Sequence, residues 1–367
     1  MNELKEIIVL HVRSTIGMYG AEKVILNIMK ESKIQGLKGS VVAIEGPSNE
    51  SCSLSDSLTS TGLECDSIIS TKRFDIRAIM KLRKKLIDSD ITVIHTHDYK
   101  SLLFSLLAKV FTNKKIVHHI HGSLGNTKAE KLYAVIERVC MMFVSRIITV
   151  SQNQKDDISQ YRYLRNNVIQ INNGTVMPDF DLSVSKIFGV FSMVMVARFT
   201  PEKNHTLAIE VVKYLVNIGK NVELILLGDG PNRAKIIDLI NKYELNNNVR
   251  LIGFSDDVQG WLSSSQLLLI TSKTEGMPMC LLEAMSMGLP TVSTPVGEIP
   301  KLLSSSKSGL VAIDKESLVK SIILLMDDKQ VYEHYSNNAR KYCEDNLSVR
   351  QQVTDLSKIY MKLGDKL

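Results

Sequence analysis

Short apolar runs and amphipathic helical stripes alternate along almost the whole chain. Glu6 to Val12 is an apolar run, a loop with Gly17 and Gly20 follows, and Glu22 to Ile34 carries Val24, Ile25, Ile28 and Met29 at helical spacing. The same unit recurs at Gly39 to Ile44, at Ile91 to His95 with a helical Leu102 to Phe111, at Lys115 to Ile120 and at Arg146 to Val150. A turn-rich stretch from Asn172 through Pro178 to Asp181 interrupts the pattern and reads as a linker. The alternation then restarts with strands at Ser192 to Val196, Val222 to Leu227, Val249 to Ile252, Gln266 to Ile270 and Thr291 to Ser293. Helices are expected at Asn204 to Ile218, Asn232 to Tyr243, Pro278 to Met287 and after Lys315. Strands separated by helices cannot pair as hairpins, so they build parallel, doubly wound sheets. The expected fold is α/β, with two Rossmann-like domains facing across a cleft. Residues 1–172 form the first domain, 174–345 the second, and 346–367 a C-terminal helix expected to cross back to the first.

Composition supports this division. A chain of 367 residues that is 44% hydrophobic and 23% charged is long enough for two domains and too apolar for disorder. No apolar run reaches the roughly 18 to 20 residues that span a bilayer, and Met1 to Lys5 lead into a strand without a basic leader. A cytoplasmic protein is expected. The five cysteines, Cys52, Cys65, Cys140, Cys280 and Cys343, are far apart and include no Cys-x-x-Cys, which excludes a zinc ribbon and a dense disulfide framework.

The net charge of +6 comes from the first half of the chain. Part of it, Lys72, Arg73, Arg77, Lys81, Arg83, Lys84 and Lys85, alternates with Ile76, Ile79, Leu82, Leu86 and Ile87 at helical spacing. This describes an amphipathic helix with a basic face, either a solvated surface or a peripheral contact with an anionic membrane at its inner face. Nucleic acid fits less well, because no recognition motif or interleaved aromatic residues accompany the charge.

In open α/β sheets ligands bind beyond the carboxyl ends of strands, so those loops carry the functional reading. The first, Gly17-Met18-Tyr19-Gly20-Ala21-Glu22, opens a helix whose amides favour anions, but it lacks the G-x-G-x-x-G dinucleotide fingerprint. The second, Ala197 to Asn204, brings Arg198 and Lys203 to the end of a strand, where two cations can hold a diphosphate. The third runs from Lys273 to Met285. Pro278 suits the first helical turn, which leaves Glu275 in the loop with Gly276 and puts Glu283 on the helix, with amides near Met279 and Cys280 facing an incoming phosphate. Two carboxylates flanking an anion site must face hydroxyl groups, so a sugar and a ribose are the natural occupants.

These residues resemble the family-four retaining glycosyltransferases of GT-B fold over nearly the whole chain. The resemblance rests on Glu275-x7-Glu283 with the following Ala284 to Pro290, and on Arg198 and Lys203. Supporting strings are Gly20-Ala21-Glu22, Leu226 to Pro231, Ile148 to Ser151, Asn173-Gly174 and His121-Gly122. It implies metal-independent transfer of a sugar, with retention, from a nucleotide-diphosphate donor to a glycan or lipid-linked acceptor. Arg198 and Lys203 would then meet the diphosphate, Glu283 the ribose and Glu275 the transferred sugar. Gly20, Gly276, Met279 and Cys280 would complete the donor contacts, and the backbone beside Phe254 would meet the base. His121 would reach the sugar from the acceptor side. No cofactor is implied, since the nucleotide-sugar is a substrate.

Retention requires either a carboxylate nucleophile, for which Glu275 is the candidate, or front-side attack in which the departing phosphate takes the acceptor proton. The second is favoured. A sugar-nucleotide epimerase and an inactive nucleotide-sugar-binding subunit remain alternatives.

Two features invite a metal. His95, His97, His118, His119 and His121 crowd two strand ends, but alternation sends His118 and His119 to opposite faces and no carboxylate is suitably spaced. Asp88-Ser89-Asp90 precedes a strand and Asp179-Phe180-Asp181 lies in the linker, so neither string occupies a loop after a strand. No metal is expected.

Overall fold

In the computed structural model, residues 7–15, 17–18, 20–46, 54–121, 128–178 and 189–364 are described. Tyr19, Gly122 and the Asp179–Asp181 string lie outside them. The chain divides into two compact units, Met1–Gly174 with Val349–Leu367, and Thr175–Ser348.

The first unit is built on seven strands: β1 (Ile8–Thr15), β2 (Lys38–Glu45), β3 (Cys65–Ile69), β4 (Val93–Thr96), β5 (Lys115–Ile120), β6 (Arg146–Thr149) and β7 (Val168–Gln170). They lie in the order β3-β2-β1-β4-β5-β6-β7, every pair parallel. Val93 and Ile94 in β4, Ile116 and Val117 in β5, and Ile147 and Ile148 in β6 are all buried. Continuous burial of this kind marks a sheet covered on both faces. The strand order reverses between β1 and β4, which makes the loops after those two strands the switch point where such sheets take ligands.

The second unit repeats the plan with six parallel strands. They are β8 (Phe191–Val196), β9 (Val222–Leu227), β10 (Val249–Gly253), β11 (Leu267–Ile270), β12 (Thr291–Ser293) and β13 (Gly309–Val311), in the order β10-β9-β8-β11-β12-β13. Here the reversal falls between β8 and β11. Its core packs Met193, Met195, Leu224 and Leu226 against Val211, Val212 and Leu215 of the helix His205–Asn217.

The C-terminal helix Val349–Gly364 belongs to the first unit. It buries Val353, Leu356, Ile359 and Tyr360, and the Gln352 side-chain oxygen accepts from the Gly174 amide at 3.0 Å.

Two local departures from the sequence expectation have clear causes. The helix expected at Leu102 to Phe111 runs over Tyr99–Ala108 instead, because Asp98 caps it in a reciprocal box with Ser101. Phe111, past its end, is left-handed (φ 63°) and 97% exposed. Pro278 is the N-cap of the helix Met279–Ser286, with extended backbone (φ −71°, ψ 132°), and not its first helical residue. Its carbonyl accepts from the Leu281 amide at 3.1 Å.

Candidate functional site

The second unit's switch point holds most of the residues singled out in the sequence. The loop after β8 is fixed by Phe199, which is fully buried. The Phe199 amide donates to the Asp229 carbonyl at 2.9 Å, and its carbonyl accepts from the Asn232 amide at 2.9 Å. Gly228 permits this approach: it sits at φ +131°, and a Cβ there would overlap the Ala197 carbonyl. Arg198, next to this anchor, is exposed.

Lys203 ends the short turn Pro201–Lys203. Its Nζ donates to Glu275 Oε1 at 2.7 Å and Oε2 at 2.8 Å. The Ser272 hydroxyl donates to Glu275 Oε1 at 2.6 Å, so the carboxylate is held from two directions. The loops themselves are tied together as well. Buried Thr271 donates to the Asn204 carbonyl at 3.1 Å, and the Lys273 amide donates to the Glu202 carbonyl at 2.7 Å. Gly297 lets the loop after β12 pass behind Glu275, since φ is +58° and a Cβ would strike the Glu275 and Gly276 carbonyls.

The helix Met279–Ser286 follows this loop, and no side chain caps its N-terminus. Its first-turn amides, together with the partial positive charge of the helix end, suit an anion. Met279, Cys280 and Glu283 are half-buried, Gly276 is exposed, and Phe254, after β10, is 65% exposed.

Gly20 and His121 lie in the first unit. Gly20 is exposed at the start of the helix Gly20–Ile34. Glu22 in that helix is buried and accepts from Arg13 Nε at 2.7 Å. Arg13 also donates to the His97 carbonyl at 2.8 Å and lies 3.8 Å from Asp98.

His121 joins a histidine assembly at the first unit's switch point. Alternation does separate His118, whose ring meets Thr96 at 2.9 Å and Glu137 at 3.2 Å. It also gathers His11, His95, His97, His119 and His121 onto one face, because His95 and His97 are two residues apart, as are His119 and His121, and the parallel register sets His11 beside His95. Alternation within single strands therefore does not by itself exclude a metal. The rings of His119 and His121 stack with centroids 4.2 Å apart, and those of His95 and His97 at 4.4 Å. His11 Nδ1 is 2.9 Å from His97 Nε2, and His97 Nδ1 is 2.8 Å from His121 Nε2. His95 Nδ1 meets the Tyr360 hydroxyl at 2.6 Å. Burial, and then the neighbouring imidazoles, holds His95, His97 and His121 well below the usual histidine range.

Sequence reasoning missed His11, Arg13 and Asp98. The string His95-Thr96-His97-Asp98, between a strand and a helix, carried the signal for Asp98, since aspartate there is a favoured N-cap. His11 and Arg13 become visible only when β1 is placed beside β4.

Comparison with known proteins accounts for both units. Residues 18–176 match the family described as Glycosyltransferase Family 4, and residues 189–342 match Glycosyl transferases group 1. The chain is 25% identical over 313 residues to an Escherichia coli UDP-Gal:alpha-D-GlcNAc-diphosphoundecaprenol alpha-1,3-galactosyltransferase, covering 79% of this chain and 80% of that one. It is 28% identical over 155 residues, 41% of each chain, to the N-acetyl-alpha-D-glucosaminyl L-malate synthase of Bacillus anthracis. Among solved structures, Anabaena HepE in complex with UDP superposes with a TM-score of 0.80 at 19% identity, over 96% of this chain and 99% of that one. WaaG, a glycosyltransferase of lipopolysaccharide biosynthesis, gives 0.71 at 15% identity, over 96% and 99%. Two Rossmann-like units matched by these two families identify the chain as a member of the group 1, family-four-like glycosyltransferases.

Proposed function

We propose that this glycosyltransferase moves a sugar, with retention and without a divalent metal, from a nucleotide-diphosphate donor to a glycan or lipid-linked glycan. The observation that carries the donor assignment is the Lys203–Glu275 pair at the second unit's switch point. It puts a cation for phosphate beside a carboxylate for hydroxyl groups, next to an anion-accepting helix end. Arg198 and Lys203 take the diphosphate, the first turn at Met279 and Cys280 adds amides, Glu283 takes the ribose and Phe254 lies at the base. HepE structures with UDP and with UDP-glucose support a nucleotide-sugar of this kind.

Leaving-group charge is the quantity to stabilise, and fixed cations and dipoles do this without reorganising. Both Glu275 oxygens already accept hydrogen bonds. Such bonding stabilises the anion and weakens it as a nucleophile, which favours front-side attack over a covalent intermediate. The departing phosphate then receives the acceptor proton. His121 lies on the acceptor side, with Nε2 engaged by His97.

The lipid-linked acceptor follows from the diphosphoundecaprenol acceptor in the E. coli relative's name and from the helix Ile76–Ile87. Its exposed face mixes Ile76, Met80 and Ile87 with Arg77, Lys81 and Lys84, a composition suited to an anionic bilayer. Both support an enzyme that works at the cytoplasmic face of a membrane. Among the described residues no helix is long and apolar enough to cross one.

The test is a panel of nucleotide-sugars, each offered with and without lipid-diphosphate acceptors, with the product's anomeric configuration read by NMR. Transfer with the donor's anomeric configuration kept supports the reading. Inversion contradicts retention, and conversion of donor alone indicates an epimerase.

A further inference from the structure

The histidine assembly of the first unit contains more ligating atoms than a role for His121 at a sugar requires. Among the described residues, neither ring nitrogen of His119 has a hydrogen-bond partner, and His95 Nε2 and His121 Nδ1 are likewise buried and unpartnered. Every neutral imidazole carries one N–H and one lone pair. Leaving such groups buried and unmet is unfavourable, so a cluster of this kind calls for an occupant.

Two overlapping triads have one ligand atom from each member within 4.8 Å of the others: His11, His95 and His97, and His97, His119 and His121. The first is sealed, with its members between 0 and 2% exposed. The second includes His121, which is partly exposed and so gives an ion a way in. We propose that His97, His119 and His121 form a binding site for a divalent transition-metal ion of the zinc type.

The chemistry fits on three counts. Imidazole is a good ligand for zinc, copper and nickel and a poor one for magnesium or calcium. Neither ring nitrogen of His119 is engaged by a hydrogen bond among the described residues, so a neutral ring there offers its lone pair to an ion without giving up an existing contact. The third count is orientation. An ion lying between His97 Nδ1 and His121 Nε2 replaces the proton those atoms share at 2.8 Å, while His97 Nε2 keeps its bond to His11 at 2.9 Å. A ligating histidine held by its other nitrogen is the usual second layer of such sites. Zn–N bonds of about 2.0–2.1 Å in tetrahedral geometry set ligand atoms roughly 3.3–3.4 Å apart. Side-chain rotation widens the His97–His121 contact from 2.8 Å and narrows any longer separation, none of which exceeds 4.8 Å, and three protein ligands leave a fourth position open.

None of these histidines takes part in the diphosphate contacts of the second unit. Where the proposed transfer mechanism holds, an occupied site slows transfer by tying down His121. Direct binding is therefore the deciding readout, and it is independent of whether that mechanism is right.

The experiment uses the full chain without a polyhistidine tag, stripped with chelator and dialysed, with Zn2+ titrated by calorimetry and bound metal measured by elemental analysis. The proposal expects about one equivalent bound, a melting temperature that rises with Zn2+, and at least tenfold weaker binding in both His119→Ala and His121→Ala. His334→Ala, an exposed histidine of the other unit, should bind like the parent. If His119→Ala does not fold, His121→Ala decides. No stoichiometric binding by the parent, undiminished affinity in His121→Ala, or loss of binding in His334→Ala overturns the proposal.

Discussion

Lys203 Nζ contacts both carboxylate oxygens of Glu275, 72 residues further along the chain, at 2.7 and 2.8 Å. The contact joins the loops after β8 and β11, the two strands between which the second sheet reverses. In the proposed donor orientation the diphosphate meets Lys203, Glu283 faces the ribose and Glu275 faces the transferred sugar. The two glutamates of this segment should therefore behave differently. Glu283→Gln is expected to weaken free nucleoside diphosphate and the complete donor alike. Glu275→Gln is expected to leave nucleotide affinity nearly intact and to lower kcat, because its contact with the sugar strengthens toward the transition state. Equal loss of nucleotide affinity in the two variants would mean the donor lies the other way round.

Turnover is expected to survive EDTA, because in the proposed donor site the diphosphate charge is met by Arg198, Lys203 and helix amides. Initial rates before and after chelation check this. Abolition by chelator with rescue by Mg2+ or Mn2+ would contradict it, and stimulation by chelator would fit release of an ion from the histidine site.

His205 is 3% exposed, and burial first, then nearby Lys203, lowers its pKa from 6.5 to about 4. As pH falls through 6.5 the unfolded chain takes up a proton that the folded one refuses until about pH 4. The stabilisation is thus complete above pH 6.5 and lost progressively between 6.5 and 4, at about 1.4 kcal/mol for each pH step of one. The single tryptophan, Trp261, lies in the second unit and reports its unfolding. Urea midpoints across this range should fall less steeply in His205→Leu than in the parent, and parallel curves would contradict the assignment.

The basic helix should give salt-sensitive binding to anionic vesicles, since the attraction fades within about 8 Å at physiological salt. Arg83 donates to the Ala108 and Val110 carbonyls at 3.0 and 2.6 Å, and Lys85 pairs with Asp66 at 2.7 Å. The informative triple variant is therefore Arg77→Gln, Lys81→Gln and Lys84→Gln. Vesicle sedimentation unchanged by both salt and this variant would make the face a solvated surface.

Much of the fold was legible because buried parallel strands carry continuous apolar runs, such as Leu224 to Leu227 and Leu267–Ile270. Strands without that signature escaped. β3 buries one residue of five, Ile68, and β7 and β13 have three residues each. The donor loops were legible because Arg198, Lys203, Glu275 and Glu283 are charged residues at strand ends or helix starts. The Lys203–Glu275 contact was not, since it depends on strand order. The histidine face depends on the register of three strands distant in sequence. Alternation within one strand could separate His118 from His119, but it could not add His11.

Calorimetry with a panel of free nucleoside diphosphates decides whether the second unit binds its donor through Arg198 and Lys203. Both residues lie on a loop, so Arg198→Ala and Lys203→Ala should fold normally. Each charge-assisted contact is worth about 1.5–3 kcal/mol. The parent is expected to bind at least one nucleotide, with affinity lower by roughly tenfold to a hundredfold in each variant. Parent affinity retained in both variants would contradict the assignment of these two cations to the diphosphate.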